Sequence, residues 1–462
     1  MSLGTITDIE VTDIRFPTSR ESDGSDAVHK DPDYSAAYVV IKTDRSDGLS
    51  GYGLAFTLGR GTEIVVLAVK AFIPFIIGAS LDEIFNDFAS FWRSLVNESQ
   101  LRWIGPEKGA THTGLAGIIN ALWDLWARIE GKPLWKFLVD MDPEKLISTV
   151  DFHHIDDALT KEEALEILRK NFSSKKEREQ YVLKHGYPAY ITSVGWLGYD
   201  QDKIRRLCEK ALAEGWTRFK MKVGVSIDND IQRASTIRDV IGWENDLMMD
   251  ANQVWNVKDA VSNMKKLARF KPKFIEEPTH PDDILGHATI AEALNPEGIG
   301  VATGETCPNR VMFKQYMQAK GLQYCQIDSC RMAGFNEVLP VLLLAAKFEV
   351  PVWPHAGGLG LCEMVQHISI FDYISVSPTL ENKATEYAGH LHEHFLSPAI
   401  VKNGSYLTPQ CPGYSTEMLT SSLEQFEYPR GSYWRENKDE HKPPDELMQF
   451  KKRKKENDKL FF

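Results

Sequence analysis

At 462 residues the chain is too long for one small domain and long enough to bury an enzyme-sized core. Charged residues make up 26% of it and the net charge is −12. That balance excludes nucleic acid or an anionic membrane as the main partner, because both call for a basic face.

No apolar run reaches the roughly 18 residues of a transmembrane helix. The six cysteines (Cys208, Cys307, Cys325, Cys330, Cys362 and Cys411) form no C-x-x-C pair. A disulfide framework or zinc ribbon is not expected from them, and they read as reduced thiols. The start of the chain shows neither a signal-peptide core nor an arginine-rich transit segment. The expected setting is intracellular, cytoplasmic or mitochondrial, with no leader visible in this chain.

The first 60 residues read as a β-meander. Ile9 and Val11, then Ile14 and Phe16, alternate with polar residues, as half-buried strands do. Tyr38–Ile41 and Leu54–Phe56 predict two more strands, with turns at Asp47-Gly48 and Gly51-x-Gly53. The polar stretch Thr18 to Asp33 has no strand pattern and is expected to act as a lid. From about residue 62 the period becomes helical: Ile118, Leu122, Leu125 and Ile129 share one face, and Gly131 with Pro133 stops the helix. Residues 158–186 are charged and helix-prone and read as a surface insertion.

From residue 188 short apolar runs alternate with helical stretches. The runs are 190–193, 218–223, 247–250, 274–278, 300–305, 324–328, 350–355 and Tyr373–Ser377, eight in all. Alternation of this kind means parallel strands joined by right-handed crossovers, and eight units fit a closed (β/α) barrel. A doubly wound open sheet would need fewer repeats and a switch point. Beyond residue 390 the pattern ends, and the basic run Lys451–Lys455 reads as a solvated terminus.

Six of these runs end in an ionisable residue: Lys222, Asp250, Glu276, Glu305, Asp328 and His355, spaced by 28, 26, 29, 23 and 27 residues. Each interval is one βα unit, so a barrel gathers all six on one rim, where barrel enzymes work. One such residue alone is as well explained as a strand or helix cap. Six in succession with complementary chemistry are not.

Asp250, Glu276 and Glu305 from consecutive strands repel one another, and burial aggravates the repulsion. A hard divalent cation resolves it, and all-oxygen ligation favours Mg²⁺ or Mn²⁺ over Zn²⁺. Glu277 and Asn252 are left as supporting or substrate-contacting groups. Lys220 and Lys222 are two apart in a strand and face the same side, inside the barrel. Their mutual repulsion and burial lower proton affinity, the carboxylates oppose this, and the outcome expected is a lysine able to act as a base. His355 lies across the rim from Lys222, with Asp328 one strand earlier to fix its tautomer. A metal flanked by two proton carriers points to abstraction of a proton α to a carboxylate, followed by loss of a β-hydroxyl or return of the proton. Gly357-Gly358-Leu359-Gly360 lacks dinucleotide-loop spacing. His390, His392 and His394 have no accompanying ligand set and are expected in a surface or interface role.

These residues resemble the enolase superfamily, in its mandelate racemase subgroup. The motifs are Lys220-Met221-Lys222, Asp250-Ala251-Asn252, Ile275-Glu276-Glu277-Pro278, Gly304-Glu305, Ile327-Asp328 and Pro354-His355. Asp31–Tyr38, Arg102–Gly109 and Glu386-Tyr387 before His390–Phe395 bring the chain nearer the L-fuconate dehydratase branch. The resemblance implies an α/β fold, a (β/α)7β modified TIM barrel with an α+β capping domain. Residues 1–145 would form the cap, completed by about 395–440. Residues 146–394 would form the barrel with its insertion near 158–186, and 441–462 a flexible tail.

It also implies Mg²⁺ on Asp250, Glu276 and Glu305, and Lys222 as the base at C2. His355, paired with Asp328, would be the acid at the C3 hydroxyl, and Lys220 would neutralise the substrate carboxylate. Glu386, Asn252 and Trp196 are expected to contact substrate. The activity implied is hydro-lyase action on an acid sugar such as L-fuconate, giving a 2-keto-3-deoxy acid. A racemase or epimerase would use the same groups. A non-catalytic binding protein would be expected to have lost one of them. A homo-oligomer with a small-molecule substrate is expected.

Overall fold

The computed structural model describes residues 2–437. The basic run and the whole of the expected tail, 441–462, lie outside them. Among the described residues no helix is long and apolar enough to cross a membrane.

Strands β1 (Ile6–Arg15), β2 (Ser35–Thr43) and β3 (Gly51–Thr57) form an antiparallel sheet in that order. It packs against helices Thr62–Phe72 and Gly109–Ile129. Gly51 and Gly53, expected in a turn, instead open β3 and pair with Ile41 and Val39. Packing explains the choice: a Cβ on Gly51 would lie 2.3 Å from the Ala121 carbonyl, and one on Gly53 2.3 Å from that of Gly117. The two glycines let the long helix lie directly on the strand. The chain's C-terminal segment returns to this unit. Ile14 bridges Glu427, Tyr428 donates to the Asp13 carbonyl at 2.7 Å, and the Trp434 indole donates to that of Arg15 at 3.2 Å.

Two helices, Lys161–Lys170 and Lys175–His185, precede the barrel. They are less superficial than their charge suggests, since Arg178 is buried and donates to the carbonyls of Ile374 and Asn171.

Parallel strands β4 (Tyr187–Ile191), β5 (Arg218–Lys222), β6 (Asp246–Asp250), β7 (Phe274–Glu276), β8 (Gly300–Thr303) and β9 (Tyr324–Cys325) follow in sequence order, each succeeded by a helix. The extended segment 352–355 is the seventh stave. Cys325 bridges Val352, and the amides of Trp353 and His355 donate to the carbonyls of Cys325 and Ile327. Strand β10 (Thr385–Tyr387) is the eighth: the Glu386 amide donates to Pro354, and β10 pairs in parallel with β4, closing the ring.

The eighth strand is therefore not Tyr373–Ser377. Asp372–Val376 prolongs the preceding helix as a buried π-turn. Its β-branched run is buried on every side, and periodicity does not separate such a run from a buried strand.

Inside the ring, Tyr190, Met248, Phe274, Ala302, Trp353 and Ala384 make a small separate core. Met248, Phe274, Trp353 and Ala384 each precede an ionisable residue by two, at Asp250, Glu276, His355 and Glu386. Inward-facing strand positions repeat with period two, so one layer plugs the barrel and the next carries the polar groups.

Cap and barrel are joined by the fully buried Arg310. Its guanidinium lies 3.0 Å from Glu107 in the cap, 3.0 Å from Glu337 in the barrel and 3.5 Å from Asp151 in the connector. Removing one partner of such a cluster leaves charge uncompensated in low dielectric. Arg310→Met is expected to lower unfolding free energy by about 3–5 kcal/mol in a denaturant titration. A loss under about 1 kcal/mol would mean the clamp is dispensable.

Candidate active site

The strand ends deliver their side chains to a single cavity of about 470 Å³, roofed by capping residues Gly24 to Tyr34. Trp196, Lys222, Asn252, Glu305, Asp328, His355 and Glu386 line it. Lys220, Asp250 and Glu276 form its buried floor, where Lys220 Nζ lies 2.8 Å from Glu276, 3.4 Å from Asp250 and 2.7 Å from Glu386. All ten residues singled out from the sequence thus meet around one space.

One ligand atom each from Asp250, Glu276 and Glu305 falls within a span of 4.8 Å. Burial, then the Asp250 charge, pushes the Glu276 carboxyl well above its ordinary range, against the pull of Lys220. Glu276 Oε1 is buried and has no hydrogen-bond partner, and neither has Asn252 Oδ1. A clustered, all-oxygen donor set with an orphaned oxygen fits a hard divalent cation. Just past these strand ends Asn252 and Glu277 adopt left-handed backbone (φ 43° and 39°), a strain characteristic of functional sites. Glu277 is turned away from the three ligand atoms and receives bonds from Gln253 (2.8 Å) and Thr306 (2.6 Å). Burial and the nearby Glu305 push its carboxyl up to about 8.

Lys222 Nζ lies 2.5 Å from Asp250. Burial works most strongly against its charge, but Asp250, Asp26 and Glu305 together outweigh burial and Lys220 and hold the ammonium above its ordinary range. In this state the lysine is not the partly neutral group expected from the Lys–Lys repulsion, because the acidic cluster dominates the local field.

Across the cavity, His355 Nδ1 is 2.7 Å from Asp328, whose other oxygen accepts the amides of Cys330 and Arg331 at 2.7 Å each. Nε2 faces the interior, 3.5 Å from Glu305 and 3.9 Å from Glu386. Burial disfavours the imidazolium, yet Glu305, Asp328 and Glu386 together push it up to about 10. Glu386 accepts the amides of Ala356 (2.9 Å) and Gly357 (3.2 Å), and despite burial the lysines and His355 hold it well below the usual carboxylate range.

The alternating histidines lie inward rather than on the surface. His390 sits edge-on to Trp196 (5.2 Å) and beside Tyr34 (5.0 Å), behind the cavity wall. His392 bonds to Glu363 at 2.6 Å, and His394 to Ser422 at 2.9 Å. The connection needs them because it passes between barrel and cap.

Sequence patterns had not singled out the roof residues Asp26 and His29, because irregular loop has no period to read. The loop is seated on the barrel: Leu197 and Gly198 donate to Ser25 at 3.1 and 2.9 Å, and Tyr199 donates to Asp23.

A cation-binding acidic cluster at the C-terminal mouth of a barrel, with a lysine and an Asp-held histidine on opposite sides, defines a class of enzymes that manage carbanionic charge beside a carboxylate. Residues 203–422 match the enolase C-terminal domain-like family, and residues 29–138 the mandelate racemase / muconate lactonizing enzyme N-terminal domain. The chain belongs to the enolase superfamily. It is similar to the crystal structure of human mitochondrial enolase superfamily member 1, with 59% identity and a TM-score of 0.93 over 94% of this chain and 98% of that one. L-galactonate dehydratase of Hypocrea jecorina is 49% identical over 94% of this chain and 97% of its own length. A racemase from Streptomyces coelicolor A3(2), solved with bound magnesium, shares the fold at 23% identity and a TM-score of 0.69, covering 91% of this chain and 98% of that one.

Burial and the neighbouring acids favour the forms of Glu276 and Glu277 that carry protons while no cation is present. Cation uptake is therefore expected to expel them. Titrating Mg²⁺ into cation-free protein at pH 7 should release about one proton, read as a binding enthalpy that varies with the buffer's ionisation enthalpy. Glu305→Gln should weaken binding at least tenfold. Buffer-independent enthalpy would show that Glu276 and Glu277 are already ionised.

Proposed function

We propose that the protein is an Mg²⁺-dependent acid-sugar dehydratase. It removes the proton at C2, α to the carboxylate, and expels the C3 hydroxyl to give a 2-keto-3-deoxy acid. The observation that carries this reading is the placement of Lys222 and the Asp328-held His355 on opposite sides of the Asp250–Glu276–Glu305 cluster, within one roofed cavity. The nature of the H. jecorina relative supports an acid of L-galacto configuration. L-fuconate and L-galactonate share that configuration from C2 to C5 and differ only at C6, so both belong to the substrate class. Apolar Val28, Phe56, Leu58 and Val65 on the capping side of the cavity suit the methyl of L-fuconate.

Asp250, Glu276 and Glu305 hold the cation, which when bound neutralises their charge and stabilises the negative charge that develops on the substrate carboxylate. Lys220, fixed in the floor, neutralises that carboxylate from below. With the acidic field offset, the neighbouring ammonium of Lys220 favours the neutral form of Lys222, which takes the C2 proton. His355 is held as an imidazolium by the carboxylates of Glu305, Asp328 and Glu386, and Asp328 accepts from its Nδ1–H, so it can hand its Nε2 proton to the departing C3 oxygen. Glu386, held by two backbone amides, orients the hydroxyl beside His355. The proton-bearing acid favours elimination over simple C2 epimerisation, for which the partner base must be deprotonated in one direction.

Division of labour tests this. Lys222→Ala is expected to abolish both C2–H exchange with D₂O and 2-keto acid formation from L-fuconate or L-galactonate. His355→Asn should reduce dehydration by roughly 10²–10⁴-fold, the usual worth of general acid catalysis, while retaining C2 exchange. Deuteration followed by NMR beside a 2-keto acid assay separates the roles. Inversion at C2 without 2-keto acid would replace the reading by an epimerase. Wild-type exchange in Lys222→Ala would place the base elsewhere.

A further inference from the structure

The cavity holds a second imidazole wired like the first. In the roof, Asp26 Oδ1 accepts the amides of Val28 (2.8 Å) and His29 (2.6 Å), and its Oδ2 lies 2.9 Å from His29 Nδ1. This repeats Asp328, whose one oxygen accepts two amides two and three residues on while the other holds His355 Nδ1. In both cases a largely buried aspartate holds the ring through Nδ1, so that Nε2 is the nitrogen left for other partners. Asp26 is 8% exposed, whereas the His29 side chain is 44% exposed and lines the cavity opposite Lys222 and Glu305. The mechanism above has no task for it.

From this wiring we infer that His29 is a substrate-contacting specificity residue, hydrogen-bonding through Nε2 to a hydroxyl on the tail of the acid sugar beyond C3. The inference rests on the dehydratase reading, which fixes the substrate's direction. C1 lies over buried Lys220, C2 faces Lys222 and C3 faces His355, so the remaining carbons extend away from the floor towards the roof that carries His29. The Asp26 contact supports the role, since its carboxylate accepts from Nδ1–H and so fixes the ring's orientation and leaves Nε2 as the nitrogen available to a substrate hydroxyl. Such a contact is made equally in ground and transition states, so it acts on affinity rather than on the chemical step.

Steady-state kinetics on L-galactonate, whose tail carries hydroxyls at C4, C5 and C6, provide the test. His29→Ala should raise KM by roughly 10-fold, the loss of one hydrogen bond, and leave kcat within about threefold. Two amide substitutions separate contact from loop folding. The His29→Asn amide can still meet Asp26 but cannot reach the substrate, and should behave like His29→Ala. The His29→Gln amide reaches to the Nε2 position and should recover most of the affinity. Lys30→Ala, on the same loop but exposed and outside the cavity lining, should leave KM within about twofold. Recovery by Asn but not Gln, a fall in kcat at constant KM, or wild-type kinetics in His29→Ala would each overturn the inference while wild-type turnover upholds the dehydratase reading. If the wild-type protein turns over no acid sugar, that reading fails and the inference with it.

Discussion

Barrel closure forces Asp250, Glu276 and Glu305 from successive strands into one small volume, and much of the site is arranged around that repulsion. Unit charges a few ångströms apart in a partly dry interior repel by several kcal/mol, more than the net stability of many domains can absorb. The chain answers with two lysines on the neighbouring strand. Lys220 contacts three carboxylates, and Lys222 a fourth contact at Asp250. Its chemistry follows from the same arrangement. In the proposed reaction, the lysine that offsets the carboxylates is also the one that takes the C2 proton, and a cation held by Asp250, Glu276 and Glu305 would assume the offsetting task.

Charge alone would leave these groups poorly aimed, and the hydrogen bonds around them set direction. Asp328 is fixed by two backbone amides before it orients His355, and Glu386 is fixed by two more before it faces the same ring. Backbone amides cannot rotate away, so the acid side of the site is preorganised by main chain rather than by other mobile side chains. Beneath it, Met248, Phe274 and Trp353 fill the barrel and keep water from the floor.

The site was more legible in the sequence than the fold boundaries were. Spacings of one βα unit between Lys222, Asp250, Glu276, Glu305, Asp328 and His355 survive any uncertainty of a residue or two in strand limits. Glu386 escaped that pattern because its strand is three residues long and follows a π-turn whose β-branched run imitates a strand. Gly51 and Gly53 misled in the opposite direction, since glycine marks a close approach as readily as a turn. The lysines' charge state was not legible either. It depends on distances to Asp250 and Glu276 that no linear pattern contains. The Asp26–His29 pair lies in irregular loop, where three-residue spacing carries no signal until the backbone folds the ring onto its aspartate.

A division of roles follows from where each group is rooted. Groups that touch C1 to C3 in the proposed reaction come from barrel strand ends, whose positions are fixed by the sheet. The roof over the rest of the cavity comes from the cap, held down by Ser25 and Tyr199 at the loop and by Arg310 at the domain junction. His390, His392 and His394 secure the connection between the two, one behind the cavity wall, one in the barrel and one against the cap. In the proposed reaction, loop substitutions would therefore alter which acid is read without moving the carboxylates or the lysine. A shift in cap docking, by contrast, changes cavity shape and water exclusion together. Substrate selection and catalytic environment are thus coupled through one interface while the reacting groups remain built on separate, rigid strands.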